Sequence, residues 1–202
     1  MSTGTTLELV QNEIPDRRKL RSVRSNRKIL DAVLSLIQSG NFVPRAQDIA
    51  NVSGLSLRTV FRHIDDMESL YRELTQESEQ RLLPPLMKPY ATDDWRARLE
   101  QSISRRVIAY EEMLPLRTAA DVKRFHSKVL AQDYRRVVAL ERMLLTAVLP
   151  KGVIADRNLF EGLDLTLSFT AWRRLRQDQG LDVKAAERVI RRAVAALIGD
   201  VA

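Results

Sequence analysis

The chain has 202 residues, 33 Lys+Arg against 26 Asp+Glu and no cysteine, with 45% apolar and 29% charged residues. That length suits one large or two small globular domains and argues against wholesale disorder, while the missing cysteines exclude disulfides, thiolate catalysis and Cys-ligated metal sites. Two histidines are too few for a His-rich metal site, no run reaches the ~18–20 apolar residues of a bilayer span, and the first residues lack the order of a signal peptide, so the expectation is a cytoplasmic protein with no metal, no cofactor and no membrane partner.

Residues 1–21 show no clear period and end in a basic cluster, which predicts a flexible basic arm. The first helix is expected from about Ser25 to Ser39, with Ile29, Val33, Leu36 and Ile37 on one stripe and Gly40 as its stop. A short helix follows from Arg45 to Ser53, broken by Gly54. Ser56 then caps a third helix from Leu57 to Ile64. Asp65 and Asp66 supply a turn and cap for a fourth, whose stripe is Met67, Leu70, Tyr71 and Leu74 and whose end is expected at Pro84-Pro85. Beyond Asp94, Trp95, Leu99, Ile103, Val107, Tyr110 and Leu114 mark another helix, interrupted at Pro115. A short helix over 117–125 and a longer one to Leu149 come next, then a turn at Pro150-Lys151-Gly152. A helix over 155–179 is apolar on nearly every side, and a last one runs from Val183 to Ile198. The fold class is therefore all-α, with about nine helices and no strand signal.

Charge is unevenly placed. Between Arg17 and Ile64 lie ten basic residues against two acids, a local net of +8, and such a block suggests a polyanion partner. The stretch Gln47–Ile64 gives the block a context. A short helix, a glycine turn and a capped second helix form a helix-turn-helix pattern. Ile49, Ala50, Leu55, Val60 and Ile64 can pack it against the first helix, and Gly54 permits the positive φ of a tight turn. Leu57, Arg58, Thr59, Arg62 and His63 are left to project outward, as donors and short polar groups that suit phosphates and base edges.

Residues 25–74 resemble the DNA-binding domain of the TetR family of transcriptional regulators. The resemblance rests on Ile49-Ala50, Ser53-Gly54-Leu55-Ser56, Thr59-Val60-Phe61-Arg62-His63-Ile64 and Met67-Glu68-Ser69-Leu70, which follow the family spacing without a gap. Two positions depart from it: Phe61 stands where the family has Tyr, and Met67 where it has Lys, so two phosphate contacts are missing. Arg45 and Arg58, at positions where small residues are common, can compensate. The resemblance implies a helix-turn-helix domain over 22–72 and a ligand-binding and dimerisation domain over 73–202. It also implies DNA contacts from Arg45, Leu57, Arg58, Thr59, Phe61, Arg62 and His63. Arg58 is the candidate for bidentate guanine readout, worth roughly 1–3 kcal/mol of discrimination; Thr59, Phe61 and His63 are candidates for phosphate or groove-wall contact. The arm residues Arg17, Arg18, Lys19, Arg21 and Arg24 are candidates for reaching an adjacent groove or backbone.

The function so implied is a sequence-specific regulator of transcription, a homodimeric repressor on a near-palindromic double-stranded operator, released by a small-molecule effector. The apolar helix near 155–179 and the near-heptad stripe of the last helix suit a four-helix dimer interface over about 155–198. Trp95, Tyr110, Phe125, His126, Tyr134, Phe169 and Trp172 are candidates to line an effector cavity, with plain core as the alternative for each. A DNA-binding protein of the same fold that answers to a protein partner is the alternative function. An all-helical enzyme finds no defensible catalytic spacing: Glu111-Glu112 and Asp93-Asp94 are adjacent pairs that diverge on a helix.

Overall fold

The computed structural model describes residues 17–63 and 67–199, with backbone alone for residues 17–19 and 67. Among the described residues there are ten α-helices and no strand. Helix α1 spans Arg17–Gln38, α2 Ala46–Ser53, α3 Leu57–His63, α4 Met67–Met87 and α5 Trp95–Lys123. Helix α6 spans Lys128–Thr146, α7 Lys151–Ala155, α8 Arg157–Thr166 and α9 Phe169–Arg173; a π-helical turn over Arg174–Asp178 precedes α10, Val183–Ile198. No described helix is long and apolar enough to cross a membrane.

The first three helices follow the sequence pattern closely. Ile29, Leu30, Val33 and Ile37 of α1 enclose Ile49 and Ala50 of α2 and Val60 of α3, and Leu70, Tyr71 and Leu74 of α4 close the cluster. Gly40 ends α1 at φ 93°, and Gly54 ends α2 at φ 67°, its N–H donating to the Ala50 carbonyl. No neighbour crowds Gly54, so the left-handed backbone itself is what calls for glycine there. Ile64 and the turn expected at Asp65-Asp66 lie outside the described residues.

Helix α1 starts at Arg17, eight residues before the expected Ser25, so the basic cluster assigned to an arm is helical from Arg17 to Arg21. Leu20 and Val23 are exposed there. The extension carries no apolar period to betray it; Arg, Lys and Leu are simply good helix formers continuing a packed helix. Residues 1–16 lie outside the described residues.

Proline misplaced two expected helix ends. Helix α4 continues through Pro84 and Pro85 to Met87, because Leu82 is buried and Leu86 half-buried against Ala109 and Met113 of α5. Helix α5 likewise runs through Pro115, so the expected separate helix over 117–125 is its last turns. Pro115 removes one backbone donor, yet Met113, Leu114, Leu116 and Ala119 on either side are buried, and that burial outweighs the lost bond. Conversely, the long helix expected over 155–179 is broken. Ser168 accepts from the Ala171 N–H at 3.1 Å and donates to the Leu165 carbonyl at 2.8 Å, starting α9 afresh. The turn expected at Pro150-Lys151-Gly152 is the start of α7, with Pro150 as its N-cap and Val153 buried beneath.

Two large cores result. One is the helix-turn-helix cluster, which also takes in Leu116, Ala119 and Leu130. The other lies under α5, α8, α9 and α10 and holds Leu99, Ile103, Tyr110, Leu163, Phe169, Trp172, Ile190 and Val194. Helix α5 crosses from one core to the other, and α4 runs unbroken through the boundary expected near residue 72.

Candidate nucleic-acid interface

Helix α3 is held by one buried side chain, Val60, and by its cap. Ser56 Oγ accepts from the Thr59 N–H at 3.2 Å and lies 2.9 Å from Thr59 Oγ1, which ties that hydroxyl back to the turn. With Val60 inward, Leu57, Arg58, Phe61 and Arg62 are exposed, Phe61 by 58%. Arg58 and Arg62 form no ion pair among the described residues, so both guanidiniums are available to an outside acceptor.

At the start of α2, Asp48 turns back to accept from the Arg45 N–H at 2.9 Å, half of a capping box. The Arg45 side chain takes no part in the cap and stays exposed. It stands where first-turn N–H groups and the helix dipole already favour an anion. Arg62 and His63 also form a concave pocket with Arg21, Ser22 and Ser25 of α1. His63 Nε2 is buried there with no hydrogen-bond partner among the described residues. The structure thus brings all seven expected contact residues to α3 and the start of α2, and adds Ser22 and Ser25. Those two serines carry no signal in the sequence, because only the packing of α1 on α3 puts them beside Arg62.

The seven expected effector residues do not converge. Tyr110, Phe169 and Trp172 are buried together: the Tyr110 and Phe169 rings meet edge to face at 5.6 Å, and Trp172 Nε1 donates to Glu111 at 2.8 Å. Trp95 sits at the start of α5, stacked by Arg96. Phe125 is 77% exposed and His126 is exposed beside it, past the end of α5, while Tyr134 on α6 is covered by the Arg124 guanidinium at 3.8 Å. Of the seven, Tyr110 alone faces the cavity between α4, α5 and α6.

That cavity, of about 40 Å³, is walled by Leu82, Leu83 and Leu86 of α4, Ala109 and Met113 of α5, and Val137, Leu140 and Leu144 of α6, with buried Arg106, Arg117 and Glu141 beside them. Arg106 donates to the Tyr110 hydroxyl at 3.0 Å and to the Glu141 carbonyl at 2.9 Å, and Arg117 pairs with the Glu141 carboxylate at 2.6 Å. Burial pushes the Tyr110 phenol up to about 12, against a smaller opposing pull from Arg106. The sequence does carry a signal for these charges. Arg106 and Arg117 fall on the same helical stripe as Ile103, Tyr110 and Leu114, so a cation at either position is a cation in the core.

No family model matches the chain, and no curated protein matches it by sequence. Its fold is similar to two crystal structures from Rhodococcus sp. RHA1. One is a transcriptional regulator, 16% identical with a TM-score of 0.62, the match covering 88% of this chain and 96% of that one. The other is a TetR transcriptional regulator, 15% identical with a TM-score of 0.53, covering 90% of this chain and 100% of that one. The likeness is one of fold.

Proposed function

We propose that the chain is a sequence-specific DNA-binding regulator of transcription, a homodimeric repressor released by a small-molecule effector. The observation that carries this reading is the outer face of α3. A seven-residue helix, capped by Ser56 and anchored by Val60, holds Arg58 and Arg62 exposed beside Leu57 and Phe61. A rigid helix with unpaired guanidiniums suits a major groove. Arg45 and the Arg21–Arg62–His63 pocket flank it as phosphate contacts.

Dimerisation is supported by α8 and α10. They pack so closely that a Cβ on Gly162 would lie 3.4 Å from Leu197, and their outer sides expose Leu165, Val189 and Leu197, with Leu165 at 69%. With a two-fold axis there, the operator is expected to carry half-sites whose centres lie ~34–36 Å or a multiple apart. Release is supported by α4, which carries Leu70, Tyr71 and Leu74 in the helix-turn-helix core and Leu82, Leu83 and Leu86 in the cavity wall. A molecule that pushes α4 outward moves the reading head with it, a population shift away from the DNA-competent dimer. The small volume of the cavity favours the second reading, in which a protein partner is the signal, since pockets for drug-sized ligands run to roughly 300–1,000 Å³.

Selection of bound sequences from random duplex DNA at ~150 mM salt tests the proposal. A near-palindromic consensus is the expected result. Weak, steeply salt-dependent binding with no consensus would overturn it. Leu165→Glu should give a monomer by analytical ultracentrifugation; an unchanged dimer would move the interface elsewhere.

A further inference from the structure

Arg106 is 95% buried and its partners are neutral: the Tyr110 hydroxyl and the Glu141 backbone carbonyl. The nearby carboxylate of Glu141 is taken by Arg117, whose guanidinium also lies 4.0 Å over the Phe169 ring. The fourth charged group lining the cavity, Glu79, is held by Arg136 at 2.7 Å. The lining is therefore balanced, two guanidiniums against two carboxylates, but Arg106 is the one of the four whose hydrogen-bond partners are all neutral, enclosed by leucine, valine and methionine side chains. A buried cation without a counter-ion is costly, and an anion delivered to it from outside relieves that cost. A guanidinium has five N–H donors, and Arg106 spends two of them within the fold.

We infer that the cavity between α4, α5 and α6 takes an amphipathic monoanion, a carboxylic acid with a short apolar tail, its carboxylate on Arg106 and its tail against Leu82, Leu83, Leu86 and Leu140. This deepens the effector part of the proposed function and rests on it. At about 40 Å³ the cavity accommodates only the head group, roughly the space of a few waters. The tail enters by parting α4 from α6, the displacement that release requires. The unpaired Arg106 selects the head group: an alcohol of equal length gains the apolar contacts and no ion pair, and an ammonium meets like charge.

The test is calorimetric titration of the full-length protein with octanoate, octan-1-ol and octylammonium at constant ionic strength. Octanoate should bind at least tenfold tighter than octan-1-ol, with octylammonium weakest. In Arg106→Met, octanoate should fall to the level of the alcohol. Equal affinity for acid and alcohol, preference for the amine, or no binding of any of the three overturns the inference. Arg106→Met loses two internal hydrogen bonds, so Leu83→Trp, at a half-buried position on α4, is the second variant. It should abolish octanoate binding with helicity retained, and undiminished binding would overturn the location. A shift assay on the selected operator separates the two claims. Failure of octanoate to bind beside an intact operator complex breaks this inference alone. Octanoate binding without any effect on that complex supports the head-group chemistry and breaks the switch.

Discussion

In the amino-terminal half, Arg21, Arg24, Arg45, Arg58 and Arg62 are exposed and form no ion pair among the described residues. In the carboxy-terminal half, Arg117 pairs with Glu141, Arg136 with Glu79 and Asp133, Arg142 with Glu161 and Asp164, Arg176 with Glu111, and Arg191 with Glu100 and Glu187. Between these two sets the residue type is the same and its employment opposite, although Arg98, Arg173 and Arg174 of the carboxy-terminal half also form no ion pair among the described residues. Where carboxylates are at hand, arginine staples helix to helix; where they are withheld, it is left for a partner. Arg27 makes the point within one helix. It lies on α1 among the free cations, yet it faces α4 and is held by Glu77 at 2.7 Å and Asp31 at 2.8 Å. Composition alone would have counted it with the others.

The contrast can be broken by substitution. The largest effect belongs to the buried pair: Arg117→Met strands Glu141 in the core and should cost ~3–5 kcal/mol, read by urea unfolding, while the double change Arg117→Met with Glu141→Leu should recover most of it. A single change costing under ~1 kcal/mol would mean that the pair is hydrated and the two halves are less different than they look. Next is Arg58→Ala, expected to relax one base position by about 1–3 kcal/mol with little change in stability. Equal losses on every sequence would demote it to a phosphate contact. Arg45→Ala should weaken all sequences alike and flatten the log–log salt dependence by about 0.9.

Ser56→Ala removes the cap of α3 and should cost ~1 kcal/mol of stability, and under the proposed function DNA affinity should fall in step as α3 frays. Affinity unchanged at reduced stability would show that DNA re-forms the helix. The smallest effect should be Arg27→Ala. Both partners of that pair are substantially exposed, solvent screens it, and a change above ~1 kcal/mol would contradict its reading as a surface staple. One pH effect touches both halves equally. Tyr71 and Tyr110 are each pushed up to about 12 by burial. A raised phenol contributes stability that is intact below its ordinary value near 10 and is lost as pH climbs from there through about 12. Alkaline unfolding in that window should therefore weaken in Tyr110→Phe; an unchanged profile would show that the phenol does not report on its core.

Much of the amino-terminal site was legible because its signals are local. Gly54 announces a left-handed turn, Ser56 a cap, and Ile49, Ala50 and Val60 an inner face, so Leu57, Arg58 and Arg62 follow as outward residues, whereas Thr59 and His63, also expected outward, are half-buried. The carboxy-terminal half was less legible because its signals compete with burial. Pro84, Pro85 and Pro115 each argue for a helix end, and each is overridden by neighbours packed between α4 and α5. The apolar run over 155–179 argues for one long helix, and a single serine hydroxyl at Ser168 divides it. Leu165, on the helix expected to form the dimer interface, is 69% exposed in the single chain.

The sequence by itself determined an all-helical chain, the helix-turn-helix at its start and the concentration of positive charge there, because periodicity, caps and charge are properties of neighbouring residues. The tertiary structure alone decided which arginines are free and which are paired, which aromatics share a core, and that a cavity with a buried Arg106 lies between α4, α5 and α6. Those outcomes depend on residues dozens of positions apart, such as Arg106 and Glu141 or Glu111 and Trp172. Their juxtaposition is set by how whole helices pack.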